Sequence, residues 1–490
     1  MTTPPKKHSQ KTTTRSAGSA PSSLGPVIES KLGWGADQDL EHSSGRATRE
    51  QRPLASLAET AERSFDAGEL LAAQVAGRNH ELVERRTRLM SLDPFSFFRG
   101  SALVMASDLA ASASSGIEVM SCGDAHLSNF GWHQSGEGAV VFDIDDFDEA
   151  ARSPFEWDVK RLACSFVVAG RAQGWSTSRS EAAAGLVAEE YRRAMRRLAK
   201  MGVAESWEWS APAADLGKLG KLVGGHDLSS APGALGELER RDLSSWLDAH
   251  HQAARSLVAG ELRHELRFAK RSDRLWPLAL ETGAKQSAEL VAGILESWKW
   301  GLPTDRRAQL ASYSVADAAR RIGGLGSLGL DNFVVLLVGR HADDLLFIQI
   351  KQAVQSVVEQ ARGELPRSYD ERRVVEGQKL LQVRSDPWLG AGGARELRGT
   401  SRSYYLRSIG ALKSAIDLGT LRGRQIESYA TICAVVLAHA HARGGSAAAI
   451  SGYLGKSRRF EEAIGSFAVD YAEQVQRDSD AFAAKAAPQG

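Results

Sequence analysis

The sequence predicts an α+β protein, a mainly helical body interrupted once by a small antiparallel-sheet region. Apolar residues recur at helical spacing over much of the chain, first at Leu54, Leu57, Ala58 and Ala61. Two β-rich runs, NFVVLLVG and LLFIQIKQ, are joined by RHADD and read as a hairpin within residues 313–352. No internal repeat is visible, so the two patterns belong to one irregular fold.

In chain order, residues 1–50 are rich in Ser, Thr, Pro, Gly and Lys, with too few apolar positions to offset the entropy of ordering them. This stretch is expected to be a disordered tail. Helical spacing follows from about Pro53 to Leu109, with DPFSFFRG as a break that contains Arg99. GIEVMSCGD and GAVVFDID are short apolar runs bounded by Gly and Asp, the signature of brief strands flanking a loop. PFEWDVKRLACSFVVAGRA and EAAAGLVAEEYRRAMRRLAKM return to helix, as do stretches between about 235 and 300. After the hairpin come a helix (YDERRVVEGQKLLQVR), a strand (SYYLRSI) and helices to the end.

At 490 residues the chain has ample length for an enzyme of two or three structural units. Lys and Arg (61) nearly balance Asp and Glu (60), so the overall charge points neither to nucleic acid nor to an anionic membrane. Three cysteines without a CxxC pair argue against a disulfide framework or a structural zinc site and fit the cytoplasm. The N-terminus lacks the apolar core of a secretory signal, and no run of about 18 apolar residues occurs.

The densest chemistry lies in CGDAHLSNFG, residues 122–131, and VVFDIDDFDEA just after it. Together they carry Asp124, His126, Asn129, Asp143, Asp145, Asp146 and Asp148. Mg²⁺ takes one or two carboxylates and fills its octahedron with water and substrate phosphate, so Asn129 with one Asp of DIDDFD suits it. The remaining carboxylates, Asp143, Asp145 and Asp148, are expected to be turn or supporting residues. Downstream, Gly324, Gly326, Ser327 and Gly329 form a GxGSxG, followed by strand, hairpin and a strand bearing Lys351. Glycines there let backbone N–H groups approach phosphate, and a lysine neutralises its charge.

Gly-Asp-x-His-x-x-Asn followed by a short hairpin and Asp-Phe-Asp resembles the aminoglycoside phosphotransferase and choline kinase branch of the protein-kinase-like fold. The resemblance implies Asp124 as catalytic base, Asn129 and Asp146 as Mg²⁺ ligands, and ATP bound through the glycine loop and Lys351. Trp157-Asp158-Val159-Lys160 resembles a segment that follows the metal Asp in that branch. It favours Asp146 over Asp143 and implies that Asp158 braces the catalytic loop through backbone hydrogen bonds. Cys122 departs from the histidine usual at its position. The lysine is expected to pair with a helix carboxylate, Glu376 first, with Glu359 and Glu371 behind it.

In ordinary kinases the glycine loop and lysine precede the catalytic loop; here they follow it by about two hundred residues. The resemblance therefore implies a circularly permuted, bilobal kinase-like fold, with YATICAVVLAHAHARGG as the helix that ordinarily leads into the catalytic loop. The expected organisation is the 1–50 tail, a helical lobe over 51–310 carrying the catalytic and metal loops, a β-rich nucleotide-binding lobe over 311–412, and helices over 413–490 completing the large lobe. The wider chain, roughly residues 55–475, resembles the bacterial DUF2252 family through its PFSFFRG, CGDAHLSNFG, DFDE with EWDVKRLA, and GxGSxG with KQA segments.

The expected activity is ATP-dependent phosphoryl transfer to an unidentified hydroxyl, on a small molecule or a protein, with the acceptor pocket between about 200 and 300. Nucleotidyl (AMP) transfer and a nucleotide-binding pseudokinase are the alternatives. A metal-dependent phosphohydrolase shares Gly-Asp-x-His but needs a downstream Gly-Asn-His that the chain lacks. Neither nucleic acid nor membrane is an expected partner. Arg99 is a possible phosphate contact, and His439 and His441, two apart on a helix, are expected to pack or give polar support.

Overall fold

The six-stranded antiparallel sheet that organises the second half of the chain has the order Gly390–Ala394, Arg402–Ser408, Leu345–Ala353, Asn332–Val338, Ser314–Arg321 and Leu275–Pro277. It belongs to a computed structural model that describes residues 37–134, 140–212, 255–269, 275–280, 283–366, 370–394, 402–409 and 414–486. Residues Asp39–Gly490 form one compact unit, and the mixture of helices and small antiparallel sheets is α+β. The hairpin read from the sequence is its centre: Asn332 pairs with Lys351 and Val338 with Leu345. Every residue of Asn332–Val338 is buried, because side chains of alternating direction meet a core on each face.

One face packs Phe333, Val335 and Leu337 against Val291, Ile294 and Trp298 of the helix Ala284–Gly301. The other packs Val334, Leu336 and Val338 against Val258 and Phe268. The β-rich region thus draws in elements from before residue 311, its expected start. Periodicity could not show this, since an amphipathic helix does not declare which layer it covers.

The largest core joins the remaining helices. The helix Arg424–Gly444 runs through its middle, buried on nearly all sides, beside Thr177–Leu198. Gly444 lets it approach the strand Glu118–Ser121, where an added Cβ would lie 2.7 Å from Met120 O. Glu118–Ser121 pairs with Ala151–Pro154, whereas Val140–Ile144 pairs with Phe130–Gln134. The two brief strands read from the sequence therefore belong to different small sheets.

Two expectations need correction. DPFSFFRG is no break: Pro94–Gly100 is a helix whose cap, Asp93, accepts hydrogen bonds from Phe95 and Ser96 N–H, with Pro94 set in the first turn. The end of the expected tail is also structured, as the helix Gln38–Gln51, whose Arg49 reaches Tyr453 O at 3.2 Å. The remainder of that tail and residues 213–254 lie outside the described residues. No helix among the described residues is long and apolar enough to cross a membrane.

Candidate functional site

The loop that follows Glu118–Ser121 is held from three directions. Gly123 adopts φ +78°, and its missing side chain makes room for Glu149 O, so glycine is required on both counts. Asp158, in the first turn of the helix Glu156–Ala172, accepts hydrogen bonds from Cys122 N at 2.8 Å and Gly123 N at 3.1 Å. His441 Nε2 meets the same carboxylate at 3.1 Å, and its Nδ1 meets the Tyr191 hydroxyl at 2.8 Å. A carboxylate only accepts, so Nε2 donates to Asp158. Tyr429 adds a hydrogen bond to Leu127 O at 2.5 Å. Asp158 does brace this loop, and His441 is polar support for it. Cys122 is buried, which pushes its thiol well above the usual range.

Asp124 projects from the loop into a small cavity of about 80 Å³ that His126, Asn129 and Asp146 also line. Burial raises the Asp124 pKa, against the pull of the Arg161 guanidinium, whose Nε lies 2.5 Å from Oδ1. Arg161 is itself anchored: Nη2 donates to Phe98 O at 3.0 Å, and the guanidinium lies over the Phe98 ring at 4.2 Å. Asn129 donates its amide to Asp124 O at 2.8 Å, which leaves its carbonyl oxygen for a cation. His126 is buried with Nε2 3.8 Å from Asp124 Oδ2, and burial, then Arg99 and Arg161, hold it well below its usual pKa. Arg99 also lines the cavity, its Nε buried without a hydrogen-bond partner among the described residues.

Asp146, Asp148 and Glu149 follow the strand Val140–Ile144. Lys351 Nζ lies 2.5 Å from Asp148 Oδ2 and 3.5 Å from Asp146 Oδ1. Burial opposes the lysine's charge, but Asp146 and Asp148 outweigh it and hold its pKa up. Tyr405, the cross-strand neighbour of Lys351, donates to Asp148 Oδ1. Glu149 receives Val357 N–H at 2.7 Å, and burial pushes its carboxyl up to about 7.

The glycine loop supplies the opposite wall. Gly324, Gly326 and Ser327 line the cavity, while Gly329, at φ +91°, turns the chain beside a larger neighbouring cavity. Two arginines strap this loop down: Arg78 donates to Gly326 O at 3.1 Å and Leu328 O at 3.2 Å, and Arg86 donates to Leu325 O at 3.2 Å.

Asp124, Asn129, Asp146, Lys351, Gly324, Gly326 and Ser327 therefore converge, and Glu376 does not. It lies exposed on the helix Asp370–Leu381. Glu359 faces Arg373 instead, at 3.6 Å. That helix contributes an arginine: Arg373 donates to Asp148 O at 2.8 Å and Ala150 O at 2.6 Å, fixing the turn whose Asp148 takes the lysine. Asp148, expected to be a bystander, is the lysine's nearest carboxylate. Arg78 carried no motif signal, and Arg161, although it lies in the EWDVKRLA segment, was assigned no role. Arg161 lies four residues from Trp157 in a helix already recognised, one turn along the face that bears Asp158, and that spacing was the available clue.

The donor set fits Mg²⁺. Asn129 and Asp146 offer two oxygens at one cavity, and the Lys351 ammonium already stands beside Asp146 as a cation does. Among the described residues, no three His, Cys, Asp or Glu side chains gather as a metal cage.

No curated protein and no solved structure matches the chain. One family does, over residues 78–485, a span that runs from Arg78 at the glycine loop through the acidic loop to the last helix. The chain belongs to that family, described as an uncharacterized protein conserved in bacteria (DUF2252).

Proposed function

We propose that this protein is an ATP-dependent phosphotransferase with a permuted kinase-like site. The observation that carries the reading is that the glycine loop shares one cavity with Asp124, Asn129 and Asp146, while Lys351 reaches Asp146 and Asp148 at its edge, across about two hundred residues of sequence. The helix Arg424–Gly444 supports the permutation: it holds the acidic loop through Tyr429 and His441 although it follows that loop in the chain.

Mg²⁺ held by Asn129 and Asp146 would neutralise phosphate charge. Lys351 offers a second cation, and releasing one carboxylate contact frees it for phosphate oxygens. Backbone N–H groups of Gly324–Ser327 close over the phosphates, with Arg78 and Arg86 keeping that lid ordered. Arg99 adds a third cation from the wall. Asp124 orients the acceptor hydroxyl and takes its proton, while Arg161 fixes the carboxylate's direction. The three cysteines are free and buried, in keeping with a cytoplasmic setting.

Incubating the protein with acceptor-containing cell extract and either γ-labelled or α-labelled ATP tests the reading. Label from the γ position appearing on an acceptor is the expected result. Label from the α position would assign AMP transfer, and binding without transfer of either label would assign a pseudokinase.

A further inference from the structure

Beside the catalytic cavity lies a second one of about 1160 Å³, and Arg78, Leu330, Gln352 and Val354 line both. Its walls come from the segment 73–82, the strand ends near Arg320 and Gln352, and Trp276. It is slightly larger than the roughly 300–1,000 Å³ usual for small-molecule sites.

Its side-chain amides are oriented in advance. Asn79 Oδ1 accepts Leu82 N at 3.1 Å and Gln352 Oε1 accepts Asp331 N at 3.1 Å, so their NH₂ groups are the ends left for a ligand. Gln74 is turned the same way, its Oε1 taken by Arg86 at 3.3 Å. Gln355 and Gln360 are set in reverse: their NH₂ groups donate to Glu364 O at 2.6 Å and Gln355 O at 2.9 Å, leaving the oxygens. Fixed donors and fixed acceptors around one space match a ligand in which every group both donates and accepts, as hydroxyls do. Charge narrows the class: among the described residues Arg78, Arg320 and Arg402 line the cavity with Asp331 and Glu81, and Arg320 and Arg402 share Asp331, which leaves the basic groups in excess. A polycationic acceptor meets repulsion there.

We propose that this cavity binds the phosphoryl acceptor, and that the acceptor is polyhydroxylated and neutral or anionic, a sugar or cyclitol, not an amino-sugar cation. The inference rests on the phosphotransferase reading for the step that follows binding. In it an acceptor hydroxyl oxygen bonds to the γ-phosphorus, the bond from that phosphorus to the β–γ bridging oxygen breaks, the hydroxyl proton passes to Asp124, and ADP leaves.

Saturation-transfer NMR on the full chain, without nucleotide, with D-glucose, D-fructose, myo-inositol and glucose 6-phosphate tests it, with kanamycin as cationic comparator. At least one of the four is expected to bind and kanamycin is not. Asn79→Asp keeps the helix cap but loses the donor, and is expected to weaken that binding about tenfold. Ala76→Trp fills the cavity from an exposed position and is expected to abolish it. Calorimetric ATP binding is expected to be unchanged in both variants. Binding of none of the four, binding of kanamycin, or undiminished binding in both variants overturns the proposal. Loss of ATP binding in Ala76→Trp also overturns it, by giving the cavity to the nucleotide. Wild-type protein that binds a sugar but no ATP leaves the cavity assignment standing and removes the phosphotransferase reading.

Discussion

Lys351 Nζ lies 2.5 Å from Asp148 Oδ2, a contact between residues 203 positions apart that ties the six-stranded sheet to the acidic loop. It places a buried cation beside Asp146 and draws the glycine loop to the loop that bears Asp124.

Asp148→Asn removes the nearest charge from Lys351 and leaves it on Asp146. Breaking a fully buried pair costs about 3–5 kcal/mol, and partial exposure of Asp148 lowers the expected loss to about 2 kcal/mol. Urea unfolding checks this, with Glu376→Gln as control. Because Glu376 is exposed, that control is expected to change stability by less than about 0.5 kcal/mol.

Asp158→Ala leaves Cys122 and Gly123 N–H without their acceptor. An unsatisfied buried donor costs about 1–3 kcal/mol, so a loss of about 3 kcal/mol is expected from the two together. Nucleotide turnover is expected to fall with it, since the same hydrogen bonds set the position of Asp124.

Glu149 makes stability depend on pH. Its folded pKa of about 7 lies above the ordinary 4.5, so between those values the folded state holds more protons than the unfolded one. Stability is therefore expected to fall as pH rises from about 4.5 to about 7, then level off, by at most about 3 kcal/mol. Glu149→Gln, which keeps an acceptor for Val357 N–H, is expected to flatten the curve measured by thermal unfolding across that range.

Arg161 opposes the effect of burial on Asp124. In Arg161→Met the Asp124 carboxyl is expected to titrate at higher pH, so the acid limb of the kcat/KM profile moves upward. An unmoved limb with lower activity would assign Arg161 a packing role alone.

The acidic loop, the hairpin and the Lys351 strand were legible because each is local: spacing within about ten residues sets which groups share a turn or strand. Asp158 as the loop's brace, 36 residues from Cys122, came instead from the family resemblance. The lysine's partner was not legible. Helical spacing says that Glu371 and Glu376 occupy different faces, but only packing decides that Arg373 turns inward and Glu376 outward. Among four acidic residues in DDFDE, the backbone turn fixed by Arg373 selects Asp148, and no pattern in the sequence encodes that contact. The second cavity was hidden for the same reason. Its walls come from segments near 76, 276, 329 and 355 that share no motif, although the expected acceptor stretch did contain Trp276.

The most direct test is Mg²⁺-dependent ATP turnover by the wild-type chain and by Asp146→Ala. Asp146 is part exposed, so the variant is expected to fold normally while losing turnover by at least about a hundredfold. Turnover that persists in folded Asp146→Ala contradicts the assignment of the site.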